Sequence, residues 1–141
     1  CDPQGGKVGP DSRMRACQRI VRAMTAHPVM VAGPGRFDTR LMSLGKGKIV
    51  SKAGAEGYQG IGLLPGALGA GSPALGIALK ISDGDARSKV RSAVAMEVLR
   101  QLGVFSAADL AELSEFGPAL KVANWRKIEV GQGYPVFSLE Q

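Results

Sequence analysis

Apolar residues at Cys17, Ile20, Val21 and Met24 recur at helical spacing and share one face. They predict a helix from Asp11 or Ser12, either of which can cap it, to about Ala26. His27-Pro28 ends it, because the residue before a proline avoids the α region. Residues 1–10 are rich in Gly and Pro and read as loop. Gly33-Pro34-Gly35 is a turn, after which Asp38 can cap a short helix over Thr39 to Leu44. Three extended segments follow: Lys48 to Ala53, Tyr58 to Leu64 and Leu75 to Ser82. Their joins are Gly-rich, which favours antiparallel pairing. Ser82-Asp83-Gly84-Asp85 then offers Asp83 or Asp85 as the cap of a helix from Ala86 to Leu102, with Val90, Ala93, Val94, Val98 and Leu99 as apolar positions. Gly103 suits the position just past its end. Ser106 and Asp109 form a capping box for a shorter helix. From Gly117 the pattern is irregular, with an edge strand expected near Lys127 to Val130. The expected class is α+β: an antiparallel sheet of about three or more strands flanked by helices, in a single domain over residues 1–141.

Composition narrows this little. The chain has 141 residues, 20 of them Gly, and only 5% aromatics, so tight turns and a small-residue core are expected. The formal charge of +6 raises nucleic acid as a partner. However, the one basic cluster, Arg13, Arg15, Arg19 and Arg22, wraps around its helix, and no aromatic residues interleave with it to stack on bases. It reads as a solvated face, and neither nucleic acid nor a membrane is expected as a partner. No apolar run is long enough to span a bilayer. Two cysteines, Cys1 and Cys17, make no disulfide framework and no metal-ligand spacing, which favours a reducing cytoplasm. The opening Cys1-Asp2-Pro3 has no initiator Met, so the chain is expected to have been cut from a longer one.

The chemistry is suggested by a set of short motifs. Ser51-Lys52-Ala53 precedes Gly54-Ala55-Glu56-Gly57. Beside them stand Ala26-His27-Pro28, Val31-Ala32-Gly33, Gly35-Arg36-Phe37-Asp38-Thr39 and Gly76-Ile77-Ala78-Leu79-Lys80-Ile81-Ser82-Asp83-Gly84-Asp85, with Asn124-Trp125 more loosely near the end. In this order and spacing they resemble the C-terminal part of the rhizobial-type L-asparaginases, best over residues 11–103. The resemblance implies part of a serine-β-lactamase-like or glutaminase-like domain. It also implies hydrolysis of L-asparagine to L-aspartate and ammonia by a Ser/Lys acyl-transfer mechanism.

In such enzymes a Ser-x-x-Lys pair supplies nucleophile and base, and a further Lys in a Lys-small-Gly context faces it. Lys52-Ala53-Gly54 resembles that last element, which makes Lys52 the catalytic candidate. Ala53 and Gly54, being small, would let substrate lie against the strand with backbone N–H groups exposed to it. Glu56 is a candidate at the mouth of the site. Arg36 is a candidate clamp for the substrate carboxylate. By resemblance the nucleophile belongs to an upstream half or a second chain, and the isolated 141 residues are expected to be nearly inactive. The family also carries a zinc site of two Cys and a Lys from upstream segments, and no metal ligand is assigned here.

Single residues also have plainer readings. Ser43-Leu44-Gly45-Lys46 is formally a Ser-x-x-Lys, but Gly45 argues against the single helical turn the pair needs. His27, the only His, reads as structural. Lys52 without its motif would be a solvent-facing strand residue. The alternative function is a non-catalytic asparaginase-like domain that binds a partner or self-associates, a homodimer included, because a partial sheet leaves edges and apolar faces to cover.

Overall fold

The computed structural model describes residues 10–86 and 89–140. The expectations for residues 1–9, among them Cys1, and for residues 87 and 88 in the predicted helix from Ala86 lie outside that range. Helix α1 spans Pro10–Ala26, so Pro10 already belongs to it, and a short α2 follows over Pro28–Ala32. Pro28 does end α1, yet it also opens α2, since proline is well placed in a first helical turn. The sequence reading missed that use of it. His27 is the N-cap residue of α2 but makes no side-chain capping bond. On the predicted apolar face of α1, Val21 and Met24 are half-buried while Cys17 and Ile20 remain exposed.

Helix α3 spans Phe37–Leu44. The expected Asp38 cap is wrong: Arg36 occupies the N-cap, and Asp38 sits within the first turn with its side chain buried. Thr39 holds α2 to α3, its hydroxyl donating to Gly33 O at 2.6 Å and Pro28 O at 3.2 Å. Strands β1 (Ile49–Gly54), β2 (Tyr58–Leu63) and β3 (Leu75–Lys80) form an antiparallel sheet in the order β1-β2-β3. The predicted strands were right to within two residues at each end. The reversal from β1 to β2 needs left-handed backbone at both Glu56 (φ 55°) and Gly57 (φ 75°). Gly57 admits no side chain, because a Cβ there would lie 2.9 Å from Ile81 Cβ.

Helix α4 spans Val90–Gln101, later than the Ala86 start expected. Its N-cap is Lys89, without a side-chain capping bond, so neither Asp83 nor Asp85 holds the expected cap position. Asp85 accepts from the amides of Lys89, Val90 and Arg91 at 2.9–3.2 Å, and its left-handed backbone (φ 46°) holds the entry open ahead of the first turn. Helix α5 spans Ala107–Glu112 and carries the predicted Ser106–Asp109 capping box. After a short 3-10 turn, β4 (Leu120–Ala123) pairs with β5 (Glu129–Gly133) in a separate two-stranded sheet. The expected strand near Lys127 is therefore β5, shifted along the chain, and its partner β4 was not foreseen. Asn124 closes the hairpin, its Oδ1 accepting from Ile128 N.

The α+β class with an antiparallel sheet of three strands stands as expected. The core lies between the inner face of that sheet and α3, α4 and α5. Leu41, Ile49, Ile61, Leu63, Met96, Leu99 and Leu113 are buried in it. The tilted rings of Phe37 and Phe116, with centroids 5.3 Å apart, close one end. On α4, Glu97 accepts from Arg100 through two guanidinium nitrogens and from Gln101 Nε2 at 2.6 Å. Gln101 in turn binds Phe137 O and Leu139 N, both at 2.8 Å, and so fastens the C-terminal segment to the helix.

Leu99→Ala removes a side chain with no exposed surface. It is expected to lower the unfolding free energy by about 2–5 kcal/mol in urea titration, with an unchanged denaturant slope. A second expectation concerns pH. The Arg100 hydrogen bonds hold the Glu97 carboxyl below its ordinary value of 4.5, against the opposing effect of burial. A depressed carboxylate stabilises the fold fully above its unfolded pKa, and that contribution disappears as pH falls through the lower folded value. The stability difference between wild type and Glu97→Gln should therefore shrink below about pH 4.5 when melting is followed against pH.

Candidate functional site

β1 is an edge strand, so half of its backbone groups point away from the sheet. The hydrogen bond from Leu64 N to Lys48 O fixes which half. Bonded pairs alternate along an antiparallel ladder, so Val50, Lys52 and Gly54 bond across to Gly62, Gly60 and Tyr58. Ile49, Ser51 and Ala53 direct their N–H and C=O groups to the open edge. Side chains follow the pleat: Ile49 and Ser51 turn into the core, and Lys52 turns outward.

Lys52 is exposed on the outer face of the sheet. Its Nζ curls back to the edge and donates to Ala53 O at 2.7 Å. The other edge group of the same residue, Ala53 N, donates to Asp38 Oδ2 at 2.9 Å. The Asp38 carboxylate is almost completely buried, and its Oδ1 accepts from Ser51 Oγ at 2.6 Å and from Gln59 Nε2 at 2.7 Å. Gln59 Nε2 also lies 2.9 Å from Ser51 Oγ. Among the described residues no Lys or Arg pairs with Asp38. Its charge is met by three donors and by its place in the first turn of α3, where a helix favours a negative group.

Outside the sheet, Lys52, Ala53 and Gly54 line an open groove of about 550 Å³ together with Val50, Tyr58, Gly60, Gly62 and Ile77. Glycines make the groove. A Cβ at Gly54 would lie 2.8 Å from Tyr58 Cδ1, and one at Gly60 would lie 3.1 Å from Tyr58 Oη. The Tyr58 ring thus lies over both positions, beside Lys52. The sequence reading did not single out Tyr58; its only signal was an aromatic flanked by glycines at a strand start.

Three of the five proposed site residues, Lys52, Ala53 and Gly54, are therefore together. The other two are elsewhere. Glu56 is at the tip of the β1–β2 turn, 84% exposed at the side chain, in a 3.8 Å ion pair with Lys80. Arg36 lines a different concavity with Lys89 and Arg91, at the start of α3. The expectation that N–H groups beside Lys52 are open to substrate is corrected at Ala53, where Asp38 takes the N–H. Ser43 and Lys46 line a third concavity with Glu112. Lys46 lies beyond the end of α3 in left-handed backbone, so the pair does not share a helical turn.

Cys17 is free and exposed on α1. Among the described residues no three His, Cys, Asp or Glu side chains gather as a metal-binding group. No helix among them is long and apolar enough to cross a membrane.

Fold and groove together define an α+β domain that presents a lysine at the edge of an antiparallel sheet, in a glycine-lined hollow. The sequence model of the L-asparaginase II family matches residues 4–134, and the chain belongs to that family. A comparison with curated proteins finds no match. Membership supports an asparaginase-like, amidohydrolase function in general, with an amino acid as substrate.

Ser51→Ala deletes one donor to the buried Asp38 carboxylate. It is expected to cost about 1–3 kcal/mol of stability while leaving the circular dichroism spectrum unchanged.

Proposed function

We propose that this chain forms the lysine-bearing part of an L-asparaginase. In it a serine attacks the side-chain amide of L-asparagine, ammonia leaves, and water hydrolyses the resulting acyl-enzyme to L-aspartate. The observation that carries this reading is the position of Lys52. Its ammonium is held at the edge of β1 by one backbone carbonyl and flanked by a groove from which side chains are missing at Gly54, Gly60 and Gly62. There it can donate to the amide oxygen as negative charge develops in the tetrahedral intermediate.

In this proposal the Ser-x-x-Lys nucleophile comes from chain outside these 141 residues, an upstream half or a second chain, in the serine-β-lactamase-like arrangement that the resemblance implies. Ala53 and Gly54 provide the floor beside Lys52. Arg36 and Glu56 serve only where substrate or the missing part reaches from the groove to their separate positions. A zinc ion, where the whole protein holds one, belongs to that other part. The free, exposed Cys17 fits a reducing cytoplasm.

A second reading is favoured by one observation. Met30, Trp125 and Val136 are each at least 85% exposed, which suits a domain that docks on a partner or on a second copy of itself without catalysis.

The two readings separate on ammonia release from L-asparagine and L-glutamine. The gene product as the cell makes it should release ammonia, whereas the 141-residue chain by itself should show almost none. Lys52→Ala in the active protein should lower kcat by about 100-fold or more. Wild-type turnover in that variant would remove Lys52 from the mechanism. An intact product that releases no ammonia from either amide would favour the binding reading.

A further inference from the structure

We propose that Asp38 is the positioning residue of the site, an inference that rests on the reading of Lys52 as catalytic. An edge strand has no neighbour to fix its outward N–H and C=O groups, so it is the part of a sheet most free to shift or fray. Lys52 takes its hold from one of those outward groups, Ala53 O. The opposite group of the same residue, Ala53 N, is bound by Asp38 Oδ2. Asp38 thus substitutes for the missing neighbouring strand at the residue on which Lys52 depends.

Asp38 is itself fixed by the bonds from Ser51 Oγ and Gln59 Nε2 to its other oxygen. Ser51 precedes Lys52, and Gln59 faces Ala53 across the ladder. The carboxylate therefore holds the strand on both sides of Lys52 and on the adjacent strand, from below the sheet, while the Lys52 side chain works above it and at its edge. With all three partners donating, both carboxylate oxygens are engaged. An amide at residue 38 would force Ser51 or Gln59 to turn from donor to acceptor. Asp38 touches neither the groove nor the Lys52 amine. It acts on catalysis through the geometry of Ala53.

The test measures kcat and KM for L-asparagine in the gene product that contains this chain, per folded molecule. It compares wild type, Lys52→Ala, Asp38→Asn and the double variant Asp38→Asn/Gln59→Glu. In the double variant the polarity is exchanged: the new amide at 38 accepts from Ala53 N and donates to the new carboxylate at 59, which also accepts from Ser51. The expected result for Asp38→Asn is a fall in kcat of about 100-fold, the scale of a 1 Å misplacement, with KM changed less than about threefold. The double variant should recover kcat to within about tenfold of wild type.

If Asp38→Asn does not fold, the double variant carries the test by itself. Recovery of turnover there supports the proposal, and a folded double variant without turnover overturns it. Full kcat in folded Asp38→Asn, with Lys52→Ala inactive, overturns the positioning role and leaves the reading of Lys52 intact. Full kcat in Lys52→Ala overturns both.

Discussion

A single buried carboxylate ties the two layers of this protein together. Asp38 belongs to helix α3, and each of its partners belongs to the sheet: Ser51 and Ala53 on β1, Gln59 on β2. Apolar packing between α3 and the strands is non-directional and would tolerate a sliding helix. The carboxylate does not, because three donors must reach two oxygens at hydrogen-bond length. Removing any one partner strands a buried polar group, so the set specifies the helix–sheet register more sharply than the surrounding leucines can.

The same constraint shapes the groove above it. Once Ser51 and Gln59 are turned inward toward Asp38, the pleat places Lys52 and Gly60 on the outer face. Slipping the register by one residue would bury Lys52 and expose Ser51. The glycines at 54, 60 and 62 then leave a floor without side chains of its own, overhung by Tyr58 at Gly54 and Gly60 and by Val50 at Gly62. Such a floor is poor as a hydrophobic core and well suited to backbone-level approach by a substrate or another segment.

Much of the architecture was legible along the chain. The strands were readable as short extended runs between Gly-rich joins, and the capping box at Ser106 and Asp109 was local chemistry that folding left untouched. Asp85 was readable as a partner for the first amides of α4, but not its place outside the cap position, since that depends on left-handed backbone at Asp85 itself. Strand β4 was not legible, because its exposed, mixed residues gain their extended form only by pairing with β5. The motif around Lys52 was visible, with Glu56 expected at the site mouth from its place in the strand turn and Arg36 from its chemistry; the fold puts Glu56 at the exposed turn tip and Arg36 in a different concavity.

The sequence by itself determined the longer helices, the three strands of the main sheet and the family. These rest on periodicities and short motifs that span a few neighbouring residues. Tertiary structure alone decided that Asp38 leaves the cap position for the core, that Ala53 has its N–H occupied, and that Lys52 bends to the sheet edge. The physical reason is that each of these depends on where a hydrogen-bond donor from a distant segment arrives. That meeting is set by packing α3 against β1 and β2, and no local pattern in the chain encodes it.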